Sequence, residues 1–325
     1  MKNIIFTLTV LCFIFIGNFV SVVAQAQVSG SIKLNPKNPE PKSVVTLTLT
    51  SYSFNVNTAM ISWKSQGKIL LQGQGEKSLE VKTGEVGESY LITVIAQTAD
   101  GSSLEQSITI SPSSVTLLYE APKSYVPLFY EGRSLPSDGA LVRVTALPSI
   151  SDEGTPVPSS KLSYTWYLDD DPVRVSSGLG KQSAYFQLDY LQNKNTIKVI
   201  VRSPYGNTGE KSIVIYPHAV MPLLYSYNAL MGSDFTTLLQ KRFETVKDFM
   251  LSLEPFYVSD DARKPASFVW YLDGLPATPL GGRILAMHPK EDSYGSKMLS
   301  IDVFGTDRRV QKASTKMEIL FDTRK

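Results

Sequence analysis

Tyr164-Thr165-Trp166-Tyr167-Leu168-Asp169 is the stretch on which the fold turns, because the chain carries two further versions of it. These read Phe268-Val269-Trp270-Tyr271-Leu272-Asp273 and, more distantly, Ile61-Ser62-Trp63-Lys64. The three tryptophans of this 325-residue chain therefore stand 103 and 104 residues apart. About thirty residues after each Trp comes an alternating apolar run: Ile92/Val94/Ala96, Ile197/Val199/Val201 and Leu299/Ile301/Val303. A second run follows, Ile108/Ile110, Ile213/Ile215 and Met317/Ile319. Spacing this regular marks one diverged unit written three times.

Working outward from the tryptophans, each unit also has an alternating run before its Trp. In Val45-Thr46-Leu47-Thr48-Leu49-Thr50 apolar and hydroxyl residues take turns, so one face of a strand packs and the other is wet. The second unit places Val142, Val144 and Ala146 inward with Arg143 and Thr145 outward. The third places Phe249, Leu251 and Leu253 inward with Ser252 and Glu254 outward. Turn signals punctuate the runs at Ala99-Asp100-Gly101, Pro204-Tyr205-Gly206-Asn207, Leu272-Asp273-Gly274 and Phe304-Gly305. Many short strands with such turns predict an all-β chain of three tandem antiparallel Ig-like β-sandwich domains. In a sandwich of about 100 residues an inward Trp on a central strand packs on the opposite sheet, the role expected of Trp63, Trp166 and Trp270. Boundaries fall where each last strand runs out, at Ser111-Pro112 and Tyr216-Pro217, giving domains at 28–112, 113–217 and 218–325. Linkers this short, with proline, favour a semi-rigid row. One stretch departs from the strand pattern. Phe235, Leu238, Leu239, Phe243 and Val246 recur at helical spacing, and Ser233 or Asp234 is placed to cap a short helix near 234–241.

The first residues belong to no domain. Lys2 precedes an apolar run from Ile4 to Val23, and small-residue sites follow at Val22-Val23-Ala24 and Ala24-Gln25-Ala26. A positive start, an apolar centre and an A-x-A-like exit predict a secretory signal over residues 1–26. An uncleaved N-terminal anchor is the alternative, since such a run is long enough to cross a bilayer. The single cysteine, Cys12, lies inside this segment. A mature chain without thiols excludes disulfides, Cys-ligated zinc and thiol catalysis. An exported chain lacking disulfides points to a bacterial envelope, secreted or at the cell surface.

Composition narrows the function classes. The formal net charge is +2, falling to near +1 without residues 1–26, and the charges are scattered. That leaves no electrostatic footprint for nucleic acid. The two histidines, His218 and His288, lie in no catalytic motif, and no phosphate-binding loop, dinucleotide fingerprint or nucleophile elbow occurs. Asp169-Asp170-Asp171 and Asp260-Asp261 read as solvated turns; calcium is the alternative for oxygen-rich loops. No catalytic, metal or cofactor residue is assigned, and the chain is expected to bind rather than catalyse. Aromatics gather in the proline-bearing stretch from Tyr119 to Tyr130. Exposed rings there could stack on sugars or anchor a protein, and Tyr125, Phe129 and Tyr130 are the candidate binding residues. An edge strand or interdomain packing is the structural alternative for the same stretch.

The repeated Tyr/Phe-x-Trp-Tyr-Leu-Asp frame with its later strand pairs resembles bacterial immunoglobulin-like and PKD-like domains, without the Gly-Asp-Gly turn that marks the PKD form. Pro36-Lys37-Asn38-Pro39-Glu40-Pro41 with Val44–Leu49, Leu118-Tyr119-Glu120-Ala121 with Pro127–Arg133, and Pro222-Leu223-Leu224-Tyr225 with Glu254-Pro255-Phe256-Tyr257 resemble exported proteins of candidate-phyla (Patescibacteria) bacteria. The resemblance implies an envelope or extracellular location. The row of three repeats is itself expected to serve as a structural or adhesion module, whose partners are envelope proteins or glycans. A carbohydrate-binding protein is the alternative and a glycan hydrolase the third reading, the last needing two carboxylates roughly 5–10 Å apart across a cleft.

Overall fold

The structure, a computed structural model, describes residues 28–323 apart from 129, 246, 262, 292, 293 and 308. The expected signal segment and Cys12 lie outside the described residues. No helix among the described residues is long and apolar enough to cross a membrane.

The chain is nearly all strand. β1 (Ser31–Asn35), β2 (Val44–Thr50), β3 (Met60–Ser65), β4 (Lys68–Gln74), β5 (Ser78–Lys82), β6 (Tyr90–Gln97) and β7 (Ser103–Ile110) form two sheets, ordered β1-β2-β5 and β4-β3-β6-β7. The next group is β8 (Ser114–Glu120), β9 (Leu141–Ser149), the small hairpin β10 (Ser151–Asp152) and β11 (Thr155–Pro156), and β12 (Ser163–Leu168). It continues with β13 (Asp171–Pro172), β14 (Gly178–Leu179), β15 (Ser183–Gln187), β16 (Asn195–Arg202) and β17 (Thr208–Ile215). Its sheets run β15-β9-β8 and β13-β12-β16-β17, the same plan. The last group is β18 (Met221–Asn228), β19 (Gly232–Leu239), β20 (Arg242–Thr245), β21 (Phe249–Phe256), β22 (Ser267–Leu272), β23 (Leu275–Ala277), β24 (Ile284–Met287), β25 (Tyr294–Phe304) and β26 (Lys312–Asp322). Its sheets run β19-β18-β21-β24 and β20-β26-β25-β22-β23. Pairing among the described strands is antiparallel except for β20 with β26, which is parallel.

Three hydrophobic cores follow from this alternation. Trp63, Trp166 and Trp270 are each at most 1% exposed and lie in three different cores. Their surroundings repeat in detail. Each pairs with an apolar residue of the neighbouring strand, Val94, Val199 and Ile301 respectively. Each indole N–H donates to a backbone carbonyl later in its own unit: Glu76 at 2.8 Å, Lys181 at 2.9 Å and Gly282 at 3.0 Å. Burying so large a ring while satisfying its one polar atom is the condition under which Trp suits a core. Immediately after each Trp strand comes a two-residue turn with both φ values positive: Gln66-Gly67, Asp169-Asp170 and Asp273-Gly274. That backbone matches the right-handed twist of the paired strands. Glycine supplies its second position twice without steric cost.

Two expectations are corrected. Residues 234–241 hold no helix; 232–239 form β19, paired with β18 across a register shift between Tyr225 and Tyr227. Asp234 accepts from the N–H and hydroxyl of Thr236, so it caps a bend in a strand rather than a helix start. The apolar spacing reflects this irregular edge, which lays Phe235 on Tyr225 while Leu239 packs on the core. Secondly, Ser252 and Glu254 do not face solvent: they are 2% and 7% exposed. Every residue from Leu251 to Ser259 is buried, so this strand is covered on both faces.

Candidate functional site

The cover over that outer face comes from the second unit. In the first sandwich only residues 36–43 connect the first two strands; in the second the corresponding connection is residues 121–140. This longer connection is a strap that leaves its own sandwich and lies along the loop after β21. Tyr125 N–H donates to Val258 O at 2.7 Å, Tyr257 N–H returns a bond to Tyr125 O at 2.8 Å, and Asp260 N–H donates to Lys123 O at 2.7 Å. Ser124 and Ser259 form a β-bridge, and Lys123 pairs with Asp261. Further along, His218 N–H donates to Pro136 O at 2.7 Å. The Gln311 amide, buried at 1% exposure, donates to Asp138 O at 2.8 Å. Backbone groups thus do most of the joining, and buried backbone groups are costly to leave unpaired.

Tyr257 shows how firmly the strap is seated. It has φ +65, a conformation that bulky L-residues rarely adopt. Its N–H is held by Tyr125, and its hydroxyl lies 3.3 Å from that of Tyr130, which pushes the Tyr257 pKa up to about 12. A backbone position this unfavourable persists only where its surroundings fix it.

On one side of the strap a groove of about 640 Å³ opens across the outer face of the β19-β18-β21-β24 sheet. The strap forms one wall with Tyr125 to Leu128; Tyr227, Met231 to Ser233 and Phe235 form another, and Leu280, Gly281, Arg283 and Ile284 close it. Its floor is polar. The Tyr125 hydroxyl donates to Glu254, Ser233 Oγ donates to Glu254 at 2.9 Å, and Arg283 Nη1 lies 3.6 Å from the same carboxylate. The Arg283 guanidinium also rests 4.7 Å from the Tyr125 ring centre. Burial, reinforced by the Glu254 carboxylate, pushes the Tyr125 pKa up to about 12. Around this floor the rim is apolar, with Leu128, Met231, Phe235 and Leu280 exposed.

The sequence candidates are therefore separated. Tyr125 is half-buried and bonded into the floor. Tyr130 is 40% exposed, packs edge-on against Phe256 at 5.4 Å and does not line the groove. Phe129 lies outside the described residues. Glu254 and Arg283 were not candidates, although a signal existed. Phe249-Met250-Leu251-Ser252-Leu253-Glu254-Pro255-Phe256 is too apolar on both phases for a strand with one wet face.

In the two acidic clusters four of the five carboxylates have partners. Asp169 accepts Thr196 N–H at 2.7 Å and Asp170 pairs with Lys198 at 3.1 Å. Asp260 accepts Ala266 N–H, while Asp261, paired with Lys123, titrates below the usual carboxylate range. His288 Nδ1 lies 2.7 Å from Asp248 on exposed surface. Among the described residues no three His, Cys, Asp or Glu side chains assemble as a metal group.

No protein-family model matches the chain, and no curated protein matches it. Solved structures do. Fibronectin(III)-like modules of Clostridium thermocellum CbhA are 14% identical, covering 57% of this chain and 94% of theirs, at a TM-score of 0.30. The three N-terminal domains of the bacteriophage RB49 Highly Immunogenic Outer Capsid protein are 15% identical, covering 92% and 100%, at 0.25. A bacterial ice-binding adhesin is 9% identical, covering 91% and 98%, at 0.24. The Ig-like fold rests on the strand pairing above.

Proposed function

We propose that this chain is an exported, non-catalytic surface protein, a structural or adhesion module of three Ig-like domains at 28–112, 113–217 and 218–325. The observation that carries the reading is the strap: a segment of the second unit joins the third through backbone groups at Lys123, Tyr125, Pro136 and Asp138. A load-bearing or presenting row needs its units held in fixed relation, and this joint supplies that between the second unit and the third. The first junction is lighter, with Ser113 N–H donating to Pro39 O at 3.1 Å, the Thr208 hydroxyl donating to Asn38, and an exposed Lys211–Glu40 pair at 3.0 Å. Exposed pairs of this kind contribute little each. Export rests on the Lys2–Ala26 pattern, and partners at a bacterial envelope would be proteins or glycans.

Three measurements test the reading. The N-terminus of the mature protein is expected at Gln25 or Gln27; an intact Met1 chain in the membrane fraction would mean an anchor instead. Small-angle scattering of the full chain should fit one fixed arrangement of the second and third units. Hydrolysis of an envelope polysaccharide by the purified protein would overturn the non-catalytic reading.

A further inference from the structure

A carboxylate, a guanidinium and hydroxyls gathered on the outer face of a sheet, under exposed apolar side chains, do not serve the sandwich core, which lies on the other face. We propose that the groove over Glu254 and Arg283 binds a neutral glycan, with Phe235 and Tyr227 stacking on pyranose faces. This deepens the surface reading by naming a ligand class, yet stands apart from it: a rigid exported row without glycan affinity would leave that reading intact.

Charge selects against the alternatives. Glu254 and Arg283 compensate one another at 3.6 Å, so the floor offers no net attraction to an anionic or cationic ligand. It does offer hydrogen bonding. A guanidinium carries five donors, and a carboxylate about four acceptor sites, of which Tyr125 and Ser233 take two at Glu254. Arg283 keeps 41% of its side chain exposed at the groove. Alternating donors and acceptors are what sugar hydroxyls match, and a lipid chain would leave these groups unpaired. The aromatic contribution is fixed in advance: Phe235 is 50% exposed, and its ring is held edge-on by Tyr225 at 5.1 Å. A ring already immobilised loses little further freedom when a ligand stacks on it. The volume, about 640 Å³, lies within the range of small-ligand sites.

The test titrates the purified full chain with neutral hexasaccharides of glucose, mannose, xylose and N-acetylglucosamine, with hexagalacturonate, and with an extended Val/Thr peptide. At least one neutral hexasaccharide should bind saturably, and hexagalacturonate and the peptide should not. Phe235→Ala should weaken that binding by about tenfold or more, the loss of one aromatic contact, in a protein that still folds with only the small drop in melting temperature due to the lost Tyr225 contact. Should Phe235→Ala fail to fold, Met231→Arg, at a position 89% exposed on the rim, carries the same test. Binding of none of the neutral sugars, tighter binding of the uronate or peptide, or affinity untouched by a folded rim variant would overturn the proposal.

Discussion

β2 of the first sandwich and β21 of the third occupy the same place in their sheets, yet they meet different surroundings. Both send apolar side chains into a core: Val45, Leu47 and Leu49 from one, Leu251 and Leu253 from the other, all fully buried. On the outer face β2 presents Thr46, Thr48 and Thr50, half-exposed, whereas β21 presents Ser252 and Glu254, buried under the strap and the β18–β19 hairpin. The inner faces obey strand alternation alone. The outer faces differ because of what a distant segment lays on them. Architecture here is local in sequence, and the candidate site is not.

The largest expected effect tests the shared half of this comparison. Trp166→Ala should cost about 3–5 kcal/mol, the range for deleting a buried aromatic ring. It also removes the partner of the Lys181 carbonyl. Calorimetry of the full chain should show one transition lowered while the others stay, because the three tryptophans lie in separate cores. A uniform shift of every transition would mean that the cores melt together and the units are not independent.

The next effect tests the half that differs. Glu254→Ala should cost about 2–3 kcal/mol, because it leaves the Tyr125 hydroxyl and Ser233 without their common acceptor and the Arg283 guanidinium without its counter-charge. Thr48→Ala, at the matching outer face of β2, should stay within about 0.5 kcal/mol, as surface changes usually do. Equal losses measured by denaturant unfolding would erase the distinction between the two faces.

How much of this could be read from residues alone follows the same division. The Trp frame, the alternating runs and the turns depend on neighbours within a strand or a hairpin, so periodicity reports them. Phe235 and Leu238 misled because a register shift at Tyr225/Tyr227 breaks the period of two, and a broken strand period imitates a helical one. Glu254 looked outward because alternation says which face a residue takes, and says nothing about a strap arriving from residues 121–140. The strap itself was legible as a cluster of aromatics and prolines. Its destination depended on backbone pairing between Tyr125 and Val258, which leaves no compositional trace.

A smaller effect probes the strap where it enters the floor. Tyr125→Phe should cost about 1 kcal/mol for the lost hydrogen bond to Glu254. Tyr125→Ala should cost more and loosen the junction, since the ring packs against the third core. Alkaline titration gives an independent readout. Folding raises the Tyr125 pKa from 10.0 to about 12, so the protonated hydroxyl is the form the fold favours. Its stabilisation is complete below pH 10 and disappears as the pH climbs through 12. Tyrosinate absorbance should therefore show a late-ionising fraction in that window, smaller in Tyr125→Phe than in the parent. A Tyr125→Phe protein with an unchanged late fraction would place the hydroxyl in water and detach the strap from the floor.

The smallest effect is at Ser252, and its size decides what kind of face β21 presents. Its Oγ is buried and has no hydrogen-bond partner among the described protein atoms. Its neighbours across the sheet are Tyr225 and Ile284. A buried hydroxyl without a partner contributes desolvation cost and little attraction, so Ser252→Ala should fall within about 0.5 kcal/mol of the parent and could stabilise it. Glu254→Ala two residues away should cost several times more, because there the polar group is bonded. If urea unfolding instead gives Ser252→Ala and Glu254→Ala similar losses, Ser252 belongs to the bonded floor and the polar patch is wider than the Glu254 network. If Ser252→Ala is neutral, the floor is confined to Glu254, Arg283, Tyr125 and Ser233, and the contrast with the evenly hydroxylated face of β2 narrows to that one network.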